Sequence, residues 1–383
     1  MVLKGLHVVL EDQVIYGDVS VEGGFITAIT ESNIPETDET FYLVPGFIDL
    51  HIHGSNNYDA MDPHIENIEQ MALSLVKEGT TGFLPTTMTQ TLEHITQALS
   101  NIALYHKRQN PLASQVLGIH LEGPFINIEA AGAQPKNCII KANTDTFKLL
   151  EKASNHLIKK VSLAPEVDGA MGLIDYLKSK QIVASIAHTK ADYKTVRKAI
   201  EHGISSMTHT YNAMTPLHHR DIGVVGAALL HDEVLAELIY DRIHVSKEAA
   251  QILYKMKGAN GIALITDSMR AKYMPEGLSE LGGQKVIISK TDARLEDQTL
   301  AGSILKMNDG YKNLIEDFKL PLYEASKMAS LNPAKSLGLD YLMGSIQVGK
   351  CANLVVLDKQ FQVIQTIING KIVFGGTHEH THI

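Results

Sequence analysis

Cysteine is scarce in this chain: Cys138 and Cys351 are the only two in 383 residues, and they form no CxxC pair. Neither a disulfide framework nor a thiolate metal site is indicated. No apolar run reaches the ~18 residues that a bilayer-spanning helix needs. The opening Met1-Val-Leu-Lys-Gly-Leu-His-Val-Val-Leu10 lacks the basic segment, long apolar segment and small-residue cleavage site of a signal peptide and reads as a strand. The expected location is the cytoplasm. Positive charge is short too, with 34 Lys and Arg against 43 Asp and Glu, a net −9 and no basic run. That balance argues against nucleic acid as the main partner. It leaves an anionic small substrate open, because one arginine or a helix N-terminus binds phosphate against an acidic background. Tryptophan is absent altogether, which excludes no function.

What is present is a globular composition, 44% hydrophobic and 20% charged, at a length that suggests roughly two to three domains. From about Phe47 onward, strand-like apolar runs alternate with helix-like ones. The strand runs close at His51 and His53 and then occupy residues 79–87, 116–122, 161–166, 182–188, 204–209, 234–240 and 261–267. Helical spacing is clearest over 64–77, where Ile65, Ile68, Ala72, Leu75 and Val76 share a face, and over 92–105, 171–178 and 193–202. Eight such units in roughly 220 residues predict an α/β fold, a (β/α)8 TIM-like barrel. The two ends differ. Residues 1–46 and 344–383 read as short strands with turns at Glu11-Asp12 and Gly23-Gly24, and neither end can bury a core alone. The expectation is one small β-sandwich domain built from both termini, with the barrel, 47–343, inserted between them. Residues 274–303, Gly-rich and strand-like at 285–289, predict a hairpin insertion after the eighth strand. The tail Thr377-His-Glu-His-Thr-His-Ile383 alternates histidines without another ligand nearby in sequence and reads as solvated.

Six potential ligands stand at the ends of the strand runs: His51, His53, Glu122, His188, His209 and Asp267. Alternate residues of a strand face one side, so the imidazoles of His51 and His53 start about 6 to 7 Å apart and one divalent cation can take both. Imidazole and carboxylate are the donors that Zn, Fe, Ni, Mn or Co accept, and three or four of them leave a position for water. Taken singly, each reads as a hydrogen-bonded core residue or a helix cap. As a set at strand C-termini, where barrel enzymes place their chemistry, they predict a metal-dependent hydrolase. His120, on the same strand face as Glu122, reads equally as a partner of the ligands or as a plain buried histidine.

Asp49-Leu-His-Ile-His-Gly54 resembles the metal-binding opening of the amidohydrolase superfamily. Gly118-Ile-His-Leu-Glu-Gly-Pro-Phe125, Leu163-Ala-Pro-Glu166, His209-Thr-Tyr-Asn-Ala-Met214, Leu264-Ile-Thr-Asp267 and Asn332-Pro-Ala-Lys-Ser-Leu-Gly-Leu339 narrow the likeness to the N-acetylglucosamine-6-phosphate deacetylase family, in the right order over nearly the whole chain. The resemblance implies one or two divalent metals per chain, with Glu122, His188 and His209 holding the principal one, His51 and His53 available to a second, and Asp267 as catalytic acid and base. It implies that Asn212 and Ala213 contact the sugar phosphate, that Arg220 reaches phosphate across a homodimer interface, and that His244 meets a sugar hydroxyl. Leu300, Ala301 and Gly302 would line the substrate from the insertion. Ala133 and Gln134 would meet the substrate, and Gln134 stands where some members carry a His that polarises the acetyl carbonyl. A neutral amide donates a hydrogen bond but supplies no proton, so oxyanion stabilisation would lean more on metal. The implied reaction is hydrolysis of the acetamide of N-acetylglucosamine 6-phosphate in amino-sugar catabolism. Left open are N-acetylgalactosamine-6-phosphate deacetylation, an N-acyl amino acid deacylase or cyclic amidase, and a non-catalytic descendant, against which the complete ligand set speaks.

Overall fold

The computed structural model describes residues 1–33, 40–376 and, for the backbone, 381–382. Eight parallel strands pair in sequence order: Phe47–Ile52, Thr80–Thr87, Ile119–Glu122, Ile158–Leu163, Val183–Ile186, Ile204–Met207, Leu235–Ile239 and Ile262–Ile265. Closure runs through a parallel bridge between Ile52 and Ser268 and a 2.8 Å bond from Asp267 N to His51 O. All six residues of Phe47–Ile52 are buried, which is why such strands read as continuous apolar runs rather than alternating ones. The predicted (β/α)8 barrel is what forms. Its fourth strand lies three residues earlier than the 161–166 expected, since Pro165 has no N–H for the ladder.

The helices follow from local signals. Tyr193–His202 starts where the Asp192 carboxylate accepts from Thr195 N at 2.8 Å, and it turns Val196 and Ala199 inward. Removing that cap costs about 1 kcal/mol. Between helices and barrel lie fully buried residues such as Leu121, Val161 and Leu173, where truncation of a leucine to alanine costs roughly 2–5 kcal/mol. Among the described residues no helix is long and apolar enough to cross a membrane.

Both termini share one sheet. Its strands run in the order Lys371–Phe374, Val363–Ile368, Leu354–Asp358, Phe41–Pro45, Val2–Val9, Val14–Glu22 and Phe25–Glu31. The turn at Gly24 reaches back to touch the turn at Asn369 and Gly370 from the far side of the sheet. The sheet therefore curls over its own core of Leu3, Val19, Ile26, Leu354 and Ile367. At the tail, Thr381–His382 pair with Val2 and Leu3, which differs from a wholly solvated tail; residues 377–380 and 383 lie outside the described residues. The insertion is a three-stranded meander, Gly277–Leu281, Gln284–Ile288 and Ala293–Leu295, not the hairpin expected. Its last strand is too short to register as a periodic run.

Candidate metal centre

Five strands deliver the six ligands by one of two local devices. His51, His53 and Glu122 stand on or just beyond extended strand ends. His188, His209 and Asp267 each lie two residues past their strands, with φ of 44°, 34° and 47°. A left-handed backbone at a non-glycine residue costs on the order of 1–3 kcal/mol and persists only where the surroundings impose it. Here it turns three side chains across the barrel mouth. Immediately behind His53, a Cβ on Gly54 would stand 2.5 Å from the Tyr58 carbonyl oxygen and 2.6 Å from Arg270 N, so only glycine fits.

The side chains converge in two buried triads, His51–His53–Asp267 and Glu122–His188–His209. In the first, His51 Nε2 and His53 Nε2 are 3.3 Å apart and lie 3.4 and 3.3 Å from Asp267 Oδ1. In the second, Glu122 Oε1 is 3.4 Å from His188 Nε2 and 3.2 Å from His209 Nε2, which are themselves 3.2 Å apart. Ligands at ~2.0–2.2 Å around a tetrahedral ion sit roughly 3.3–3.6 Å from one another, so both sets fit a divalent cation. Glu122 also joins them, with Oε1 3.5 Å from His51 and Oε2 3.2 Å from His53.

Partners on the outer side orient the rings. His53 Nδ1 lies 3.1 Å from the Thr86 carbonyl oxygen and His188 Nδ1 2.9 Å from that of Ala130. A carbonyl only accepts, so both Nδ1 atoms carry a proton, and with a cation bound both Nε2 lone pairs would face it. His209 Nδ1 is buried without a partner among the described residues. Burial pushes the carboxyl of Asp267 up, but without a cation the charge of a protonated His51 and the hydrogen bond from His53 outweigh it and hold it at about 2. The same balance, burial against His51, His188 and His209, holds Glu122 well below the usual carboxylate range. Both carboxylates are anionic at neutral pH, as cation binding requires.

Above the ligands opens a cavity of about 200 Å³. Its walls include Ala133, Gln134, Asn212, Ala213, His244, Leu300 and Gly302. Gln134 is committed at both ends of its amide: Nε2 donates to Glu122 Oε2 at 2.8 Å, and Oε1 accepts from Thr89 N at 2.7 Å. One amide hydrogen remains for a ligand. His244 Nδ1 is held 2.6 Å from Asp241 Oδ2. Two expected residues do not line this chain's own cavity, one of them, Arg220, being expected to serve that of a second copy. Ala301 is fully buried behind the wall, bonded to Ala293, and Arg220 is exposed on the loop after the sixth strand, 2.9 Å from His219 Nε2.

His120 is no ligand. It packs edge-on against His51, with ring centroids 4.5 Å apart, and bonds Ser162 Oγ at 2.7 Å. Burial and the nearby Lys160 charge hold its pKa well below the ordinary value, so it is neutral. The sequence reading missed Met88, Leu281 and Thr299 in the cavity wall, and also Lys160 and Glu237 beneath the ligands. The last two had a signal: each is a charge inside an apolar strand run.

Residues 42–373 match the amidohydrolase family. The N-acetylglucosamine-6-phosphate deacetylase of Bacillus subtilis is 42% identical over 98% of this chain and 97% of its own length. The N-acetylgalactosamine-6-phosphate deacetylase of Escherichia coli O157:H7 is 36% identical over 92% of this chain and 93% of its own. The crystal structure of N-acetylglucosamine-6-phosphate deacetylase from Thermotoga maritima superposes with a TM-score of 0.90 at 36% identity, covering 98% of this chain and 100% of that one. Family match, full-length likeness and ligand geometry agree, and the chain belongs to the amidohydrolase family.

Proposed function

We propose that this chain hydrolyses the acetamide of N-acetyl-D-glucosamine 6-phosphate to D-glucosamine 6-phosphate and acetate, in amino-sugar catabolism. The observation that carries the reading is the position of Asp267, which lines the cavity while its Oδ1 stands against both HxH histidines. A divalent cation held by Glu122, His188 and His209, with a second at His51, His53 and Asp267, would supply Lewis acidity, acidifying water toward a pKa of ~7 and polarising a carbonyl. Asp267 takes the proton of the attacking water and delivers it to the amine nitrogen as the C–N bond breaks, because an amide anion is too poor a leaving group. The spare hydrogen of Gln134 is available to the acetyl oxygen. With Nδ1 donating to Asp241, His244 offers an accepting Nε2 to a sugar hydroxyl. Asn212 and Ala213 meet the phosphate, and Leu300 and Gly302, backed by Ala301, line the cavity. Part of the same reading are a cytoplasmic location and the division into 1–46 with 344–383 and 47–343, supported by the pairing of Phe41–Pro45 with Leu354–Asp358.

Arg220 lies outside this chain's cavity, so in this reading it serves the cavity of a second copy in a homodimer. Arg220→Ala should then raise KM for the 6-phosphate sugar about 10- to 100-fold, the loss of a charged hydrogen bond worth roughly 1.5–3 kcal/mol. Metal content should not change. Mixed dimers of Arg220→Ala and Asp267→Asn chains should regain activity, and an unaltered preference for the phosphorylated sugar would remove the phosphate role.

The substrate itself is tested by acetate release from N-acetylglucosamine, N-acetylgalactosamine and their 6-phosphates. The largest kcat/KM is expected with N-acetylglucosamine 6-phosphate and the second largest with its galactosamine isomer. No release from either phosphate would overturn the reading.

A further inference from the structure

Two charged side chains lie inside the barrel beneath the ligands and take no part in the reaction above: Lys160 and Glu237, 1% and 0% exposed. They stand on the strands Ile158–Leu163 and Leu235–Ile239, and Lys160 Nζ donates to Glu237 Oε1. The other oxygen, Oε2, has two neighbours, His51 Nδ1 at 3.4 Å and the backbone N of His209 at 3.3 Å. The Glu237 carbonyl accepts from Thr210 N at 2.8 Å. One residue thus touches the ring of a ligand in one triad and the backbone of a ligand in the other.

Stability is a poor explanation for this placement. Desolvation of a buried ion pair largely offsets its attraction, and apolar residues of similar volume do as well or better. Branched apolar side chains are what normally fill a barrel interior. A carboxylate beside Nδ1 can only accept, so the proton stays on His51 Nδ1 and the lone pair on Nε2, which faces His53, Asp267 and Glu122 at 3.3, 3.4 and 3.5 Å. We propose that Glu237, with Lys160 as its counter-ion, is a positioning residue of the metal centre: it fixes the tautomer and ring plane of His51 and the turn that carries His209, and cation affinity depends on it. Lys160 keeps that carboxylate from being an uncompensated buried charge. The inference rests on the reading of His51 as a ligand.

The test replaces the pair by apolar residues, Glu237→Leu with Lys160→Met, in the full chain stripped of metal. Melting temperature is measured without metal, and zinc uptake is followed against chelator-buffered free zinc. The uptake step due to His51 is the one missing from His51→Gln with His53→Asn. The pair variant should melt close to wild type yet need about 10- to 100-fold more free zinc for that step, the usual cost of losing a ligand's outer partner. Glu237→Gln with Lys160→Met keeps an accepting oxygen and should recover part of the affinity. A folded pair variant that fills at the wild-type zinc concentration overturns the positioning role. A wild-type chain with no His51-dependent step overturns the reading of His51 as a ligand and the proposal with it. Should the pair variant not fold, ¹⁵N spectra of the wild-type histidines at mildly alkaline pH decide: a protonated His51 Nδ1 supports the role, and a bare one overturns it.

Discussion

Asp267→Asn should lower kcat by about 10³-fold or more, within the ~10²–10⁴-fold that a positioned acid–base group contributes. Asparagine matches aspartate in size and still accepts a hydrogen bond, but it cannot take the proton of water. Asp267 is anionic at neutral pH, with its carboxyl held at about 2, and its backbone is fixed at φ 47°. Both its protonation state and its aim are therefore set before substrate arrives. Glu122, His188 and His209 form their triad without it, so metal per chain should fall by one equivalent at most. Turnover and elemental analysis on the same preparation check both halves. A kcat within tenfold of wild type, a barrier change of only ~1.4 kcal/mol, would be too small for an acid and base.

Why the ligands could be read from the sequence, and much of their support could not, follows from how each is encoded. A parallel barrel strand is buried on both faces, so it writes itself as an apolar run, and a His or carboxylate at its end stands out. That made the barrel and the ligand order legible, while short strands and turn residues at both ends marked a small β domain there. The helix Gly223–Leu230 was not, because seven of its eight residues are buried and no polar face marks its period. Left-handed φ at His188, His209 and Asp267 leaves no trace in residue type, since glycine or asparagine is the usual sign of it and none stands there. The bond from Gln134 to Glu122 joins residues whose meeting depends on a loop path, and spacing cannot predict it. Resemblance named two residues that this chain's own cavity does not: Ala301 is buried behind its wall, and Arg220, expected to act across a dimer interface, faces solvent.

Glu122→Gln should cost the chain both metals, whereas His51→Gln with His53→Asn should cost it one. The difference lies in how Glu122 is shared. Its Oε1 is within 3.2–3.5 Å of His209, His188 and His51, and its Oε2 is 3.2 Å from His53 and 2.8 Å from Gln134. Glutamine keeps the volume but removes the charge that four histidines and the cations would share, and it sets an amide hydrogen or a weak carbonyl donor where a carboxylate oxygen stood. Neutral His188 and His209 alone are a poor site for a divalent ion. Activity should fall by more than the ~10²–10³-fold that follows loss of a single oxyanion-stabilising donor. In the double histidine variant Glu122, His188, His209 and Asp267 all remain, so the principal cation and the proton path persist and turnover should be reduced rather than lost. Metal per chain by elemental analysis, beside acetate release, separates the two. A fully loaded Glu122→Gln chain would show that Glu122 is not the shared ligand, and wild-type metal content in the double histidine variant would remove the second site.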